Sequence, residues 1–230
     1  ERIHPSKAPY GYIRNKETGH LEVEPIEAEV VKEIFELCKQ GNSTRSIATI
    51  MKDNNAYLKQ GKDLYEWTKK NLEDPKDHLY FDNIALNKKI GRAKFAYNSG
   101  QMMQAAALLY QITKQRNYLE DAQNIAEACH KHFFTHFTSP NGQTFQLLKK
   151  GNIWFTAVML RGFIELYHTD HNKTYLADFQ KSLDYAWQYA RDERGLFQTD
   201  WSGADKNEKK WLLTQAAFVE MYGRLAGINL

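Results

Sequence analysis

Cysteine is nearly absent from this 230-residue chain. Cys38 and Cys129 stand far apart, which leaves neither a disulfide framework nor a zinc-binding spacing. No apolar run approaches the roughly 18 residues of a membrane span, and no signal-like segment opens the chain, so no membrane partner is expected. A clustered basic stripe is also missing. Residues 1–56 hold eight Lys/Arg against nine Asp/Glu, a net of −1, and the remainder holds 23 against 19. Binding to a phosphate backbone needs concentrated positive charge, so a DNA partner is not expected. No glycine-rich phosphate loop occurs, and no cofactor or metal is expected. Aromatic rings are what the chain has in excess: 13 Tyr, 12 Phe and 5 Trp. Most of them suit a packed core, but a ring face also stacks on the apolar face of a pyranose.

The sequence changes character near residues 54–58, which divides it into an expected helical module at 1–56 and a larger domain at 57–230. In the first part Pro25 opens a helix, where its missing N–H costs nothing. Val30, Val31, Ile34, Phe35, Leu37 and Cys38 trace one helical face, and Gly41 ends it. Ser43 is the N-cap of a second helix, Thr44–Lys52, with Ile47, Ala48, Ile50 and Met51 on its buried side. The run Ala8-Pro9-Tyr10-Gly11-Tyr12, then Pro25, Glu27-Ala28-Glu29-Val30-Val31, Ile34-Phe35 and Gly41-Asn42-Ser43 through Ile47-Ala48, resembles the recombinase domain of large serine recombinases over residues 1–55. That family's nucleophilic serine lies in an upstream domain with no counterpart here. Ser43 and Ser46 are read as helix-start serines.

From Tyr57 onward the chain repeats itself. Leu109-Tyr110 recurs as Leu166-Tyr167, Tyr118-Leu119 as Tyr175-Leu176, and Asp121 as Asp178, all 57 residues apart. A fainter echo joins Glu165-Leu166-Tyr167 to Glu220-Met221-Tyr222. Each unit reads as helix, short polar turn, helix, then a longer aromatic loop. The expected helices are Lys62–Leu72, Gly100–Lys114, Tyr118–Phe134, Trp154–His168, Tyr175–Ala190 and Glu208–Ala226. Those beginning at Gly100 and Trp154 are apolar nearly all round, as inner helices are, whereas Tyr118–Phe134 keeps a polar face. Long loops rich in aromatics, Gly and Asp fall at 73–99, 138–153 and 192–208, always at the same end of a hairpin. That asymmetry favours a ring with a site at one pole over an open solenoid. The expected fold class is all-α, a partial (α/α)6 toroid of antiparallel hairpins behind a small helix-turn-helix-like module. A six-hairpin ring at this period needs roughly 340 residues, so half a ring is expected, with apolar flanks that favour self-association.

The loops carry a second resemblance. Leu79-Tyr80-Phe81-Asp82-Asn83-Ile84, Tyr97-Asn98-Ser99-Gly100-Gln101, Tyr118-Leu119-Glu120-Asp121-Ala122 and Asn152-Ile153-Trp154-Phe155 through Arg161-Gly162 resemble bacterial glycoside hydrolase family 76. So do Gly195-Leu196-Phe197, Asp200-Trp201-Ser202-Gly203 and Leu213-Thr214-Gln215-Ala216-Ala217. The resemblance implies an (α/α)6 toroid, endo-hydrolysis of α-1,6-mannan, a mannan-type oligosaccharide partner and an extracellular or cell-envelope location. It also implies catalysis by adjacent aspartates, and no Asp-Asp pair occurs in this sequence. Glycoside hydrolysis needs two carboxyls flanking the scissile bond. The expectation is therefore binding without hydrolysis, with no catalytic residue assigned. Expected substrate-binding residues are Phe81, Asp82, Asn83, Tyr97, Asn98, Gln101, Trp154, Asp200 and Trp201. Asp82 and Asp200 are read as structural or sugar-binding acids. Phe81, Tyr97 and Trp201 are read as stacking rings, with Trp154 and Trp201 equally suited to the core. His130, His132 and His136 invite a metal reading, but His130 and His132 point apart on a helix, and solvated histidines are expected. Two other origins stay open: a DNA-binding recombinase fragment, or a join of two unrelated truncated reading frames.

Overall fold

The computed structural model of the chain describes residues 8–52 and 55–228, which form two compact units, Glu1–Gly61 and Lys62–Leu230. In the first unit a short antiparallel pair, β1 (Tyr12–Arg14) and β2 (Leu21–Val23), precedes α1 (Pro25–Lys39) and α2 (Thr44–Lys52). The hairpin was not anticipated from the sequence. Its turn is built by Asn15, whose Oδ1 accepts from the backbone N–H groups of Glu17 and Thr18. Helix α1 has Pro25 in its first turn, and the Glu24 carboxylate accepts from the Glu27 N–H. Ser43 caps α2 by accepting from the Ser46 N–H. Val30 and Ile47 are buried as expected. Phe35, Cys38 and Ala48 are exposed instead, because two helices and a hairpin of two three-residue strands have too little surface to cover every apolar side chain. The burial expected of Ile50 and Met51 concerns side chains outside the described residues.

Helix α3 spans Asn55–Leu72, so the expected start at Lys62 is too late. The second unit continues with β3 (Phe81–Ile84), β4 (Ile90–Lys94), α4 (Ala96–Thr113), α5 (Arg116–Phe133), β5 (Phe134–Thr138), β6 (Thr144–Leu148), α6 (Ile153–Asp170), α7 (Thr174–Tyr189) and α8 (Leu212–Ala226). The repeat is physical. Helices α4 and α6 start 57 residues apart and end 57 residues apart, and each stops at a left-handed residue, Lys114 and His171. Two long connections expected as loops contain antiparallel hairpins, β3–β4 and β5–β6. Short β pairs of this kind lack the length that makes alternation readable. Helix α8 begins at Leu212 rather than Glu208, because residues 190–211 form a loop wrapped around Trp201 and Phe197, which pack on Phe218.

Helices α4, α6 and α8 form one row, with α6 packed between the other two. Helix α6 is buried along most of its length, as an inner helix should be. Helix α4 is not: Gln101 and Leu108 are exposed, on a face that no described element covers. The α4–α6 approach is close because both helices present glycine. A Cβ on Gly100 would lie 2.4 Å from Met159 Cα, and one on Gly162 would lie 2.4 Å from the Gly100 carbonyl oxygen. No helix among the described residues is long and apolar enough to cross a membrane.

Candidate functional site at the hairpin pole

Each hairpin or long loop follows an outer helix and leads into an inner one, so β3–β4, β5–β6 and residues 190–211 gather at one end of the helices. At that end the Asp82 carboxylate meets three donors. Its Oδ1 accepts from the Tyr97 hydroxyl at 2.6 Å and from Asn98 Nδ2 at 3.3 Å, and its Oδ2 accepts from Asn83 Nδ2 at 2.7 Å. The Tyr97 hydrogen bond is the main cause that holds the Asp82 carboxyl below its ordinary range. Reciprocally, the hydrogen bond to Asp82 holds the Tyr97 phenol up. An acid that stays ionised in this way is a poor proton donor near neutral pH, since a general acid needs a raised pKa.

Aromatic rings continue the site. The Tyr97 ring lies 4.5 Å from Phe155 and 6.4 Å from Trp154 between centroids, and Phe95 stacks beside it at 6.0 Å. Trp154 is partly exposed, and its helix start is fixed by Asn152, whose Oδ1 accepts from the Trp154 N–H at 3.0 Å. A cleft of about 320 Å³ opens alongside, lined by Lys94, Phe95, Asn152 and Phe155 among others. The structure therefore brings together Asp82, Asn83, Tyr97, Asn98 and Trp154. Gln101 lies one turn further along α4 and is exposed. Phe95 and Phe155 were not singled out from the sequence. A signal for Phe155 was present, because Tyr97 and Trp154 occupy the same position in successive repeats, and Asn98 and Phe155 the next one.

Two expected stacking rings do not face solvent. Phe81 is buried, with the Arg92 guanidinium 5.1 Å and the Lys94 ammonium 5.3 Å from its centroid. Trp201 is wholly buried against Phe218. Both positions read as polar-loop aromatics in the sequence, and only packing shows that neighbouring elements cover them. Asp200 sits in its own loop, joined by no hydrogen bond to the Asp82 group. Burial raises the Asp200 pKa, but the Asp205 N–H and the Ser202 hydroxyl and N–H outweigh it and lower the carboxyl. The histidines also separate. His132 and His136 are exposed, but they lie on α5 and β5 and share no helix face. His130 is not a solvated surface histidine: its Nε2 lies 2.8 Å from the Asp178 carboxylate, between the Phe134 and Tyr175 rings. No group of metal-ligating side chains occurs among the described residues.

Antiparallel helical hairpins with an inner row and a loop-bearing pole define an all-α protein of the α/α-toroid class. The sequence model of glycosyl hydrolase family 76 matches residues 46–142. The chain is similar to a crystal structure of a family 76 glycoside hydrolase from a bovine Bacteroides thetaiotaomicron strain, with 38% identity and a TM-score of 0.73 over 78% of this chain and 40% of that one. It is also similar to a family 76 mannosidase from Bacteroides thetaiotaomicron, with 37% identity and a TM-score of 0.73 over 78% of this chain and 51% of that one. A third similar structure is an inactive α-1,6-mannanase variant from Salegentibacter sp., in which two adjacent aspartates are replaced by asparagine and α-1,6-mannotriose is bound. It is 25% identical, with a TM-score of 0.60 over 76% of this chain and 53% of that one. The chain thus spans about half the length of the solved structures it matches. No curated protein matches it.

Proposed function

We propose that residues 62–230 supply part of the mannan-binding pole of a family 76 glycoside hydrolase. On this reading the 230-residue chain binds α-1,6-linked mannosides without cleaving them. The observation that carries the proposal is the ionised Asp82 carboxylate, anchored by Tyr97, Asn98 and Asn83 beside the partly exposed Trp154 ring. A carboxylate and amides match sugar hydroxyls, and a ring face matches the apolar face of the pyranose. The mannotriose held by a similar protein supports the substrate class. Hydrolysis needs two carboxyls placed across the scissile bond. This sequence has no adjacent aspartates, and Asp82 and Asp200 are both held ionised.

Titration with α-1,6-mannotriose, followed by backbone amide NMR, should show saturable shifts around Asn98 and Trp154. Stacking and a few exposed hydrogen bonds give roughly 4 kcal/mol, a millimolar Kd. Incubation with α-1,6-mannan should release no reducing ends above a blank. Turnover that Asp82→Asn or Asp200→Asn abolishes would overturn the inactive reading, and no shift at tens of millimolar would overturn the binding one.

A further inference from the structure

A second cleft, of about 440 Å³, lies on the outer side of the second unit between the β5–β6 hairpin and the C-terminal half of α7. We propose that it is a separate binding site for a neutral oligosaccharide, built on the exposed ring of Tyr189. Phe137 and Phe145 face each other across the hairpin ladder, with centroids 5.5 Å apart and edge-to-face. Tyr185 of α7 packs into this pair, 5.1 Å from Phe137 and 5.5 Å from Phe145. One helical turn on, the Tyr189 ring lies 4.5 Å from Tyr185 and is 51% exposed. Three rings therefore fix the position of a fourth that faces solvent, and an immobile ring loses little entropy when a ligand stacks on it.

The rest of the lining is hydrogen-bonding. Asn141 and Gln143 come from the hairpin tip, and Gln188 from α7. The tip is held by hydrogen bonds: the Ser139 hydroxyl donates toward the Asn141 side chain and accepts from the Gln143 N–H, and Gly142 takes the left-handed backbone the turn needs, with φ +83°. The side-chain amides of Gln143 and Gln188 have no hydrogen-bond partner among the described residues. An amide both donates and accepts, as each sugar hydroxyl does. Lys181 and Asp184 add one charge of each sign, so the cleft selects for no net charge. An apolar ligand would desolvate these groups without replacing their hydrogen bonds, at a cost to binding. The volume falls in the roughly 300–1,000 Å³ range of small-molecule sites, enough for a short oligosaccharide. None of the lining residues belongs to the Asp82–Tyr97–Trp154 cluster. The choice of an α-1,6-mannoside as occupant rests on the reading of the pole site, whereas the site itself rests on the geometry of this cleft.

The test is an amide NMR titration of the full chain with α-1,6-mannotriose, run on wild type, Tyr189→Ala and Gln188→Ala. Amides of Asn141, Gln143 and Gln188 should shift together, with a dissociation constant independent of the one read at Asn98 and Trp154. Tyr189→Ala should weaken the outer site at least fivefold, and Gln188→Ala two- to fivefold, with the pole shifts unchanged. Both side chains are exposed, and unchanged dispersion elsewhere in the spectrum reports that the variants fold. Shifts at the outer cleft without shifts at the pole would support this site and contradict the proposed function. Pole shifts with none at the cleft, or cleft affinity unmoved by Tyr189→Ala, would overturn the second site.

Discussion

Asp82 stays ionised because three neutral donors converge on it, so its contribution depends on those donors rather than on a counter-ion. Its folded pKa is depressed, which means that the charged acceptor is present at all pH above the ordinary carboxylate value of 3.8 and is lost as pH falls through the lower folded value. Mannoside binding at the pole should therefore be flat between about pH 5 and pH 8 and weaken only in stronger acid. Replacing Tyr97 by Phe keeps the ring and removes its donor. The Asp82 carboxyl should then titrate closer to 3.8, as NMR of the carboxyl carbon would show, and mannotriose affinity should fall by roughly three- to tenfold. A second carboxylate offers a stability test. Glu220 on α8 receives two hydrogen bonds from Arg161 of α6, at 2.7 and 2.8 Å, and one from Arg224. The Arg161 hydrogen bond is the main cause of its lowered pKa. Glu220→Gln should cost about 2 kcal/mol at neutral pH in urea unfolding. That difference is fully present above the ordinary value of 4.5 and should shrink as pH falls through the folded value.

At the scale of elements, the α4–α6 contact decides where Tyr97 and Trp154 meet, since each ring sits at the first turn of one of these helices. Gly162→Ala would drive a methyl into the Gly100 carbonyl, leaving a backbone shift as the only relief. A loss of about 1–3 kcal/mol is expected in thermal unfolding, together with weaker mannoside binding as the rings separate. The opposite sign is expected at His171. Its φ of 58° is left-handed, which costs a non-glycine residue about 1 kcal/mol, and its side chain is exposed. His171→Gly should raise the melting temperature without altering the site, which lies at the other end of the helices.

For the whole molecule, the two units make separate predictions. Residues 1–56 carry a net charge of −1, so the chain should show no preference for any duplex DNA over random sequence, and gel shifts with the intact protein at low salt would reveal one. The second unit exposes Leu64 and Trp67 on α3 and Leu212 and Val219 on α8, its first and last helices. Apolar patches of this kind drive association. Sedimentation of the intact chain should show concentration-dependent self-association, which Leu64→Lys combined with Val219→Lys reduces.

Helix identity, the 57-residue repeat and the end of the helices at which the long connections gather were legible in the sequence. Each rests on local periodicity or on spacing along the chain, and both survive folding. Asp82, Asn83, Tyr97, Asn98 and Trp154 were named from loops that resemble the family, and the structure brings them together at one end of the helices. Three features were not legible: the β hairpins inside the loops, the covering of Phe81 and Trp201, and the glycine contact that fixes the ring cluster. A loop aromatic reads the same whether it stacks on a ligand or on Phe218. Which of the two it does depends on residues far away in sequence, and only tertiary packing brings those residues against it.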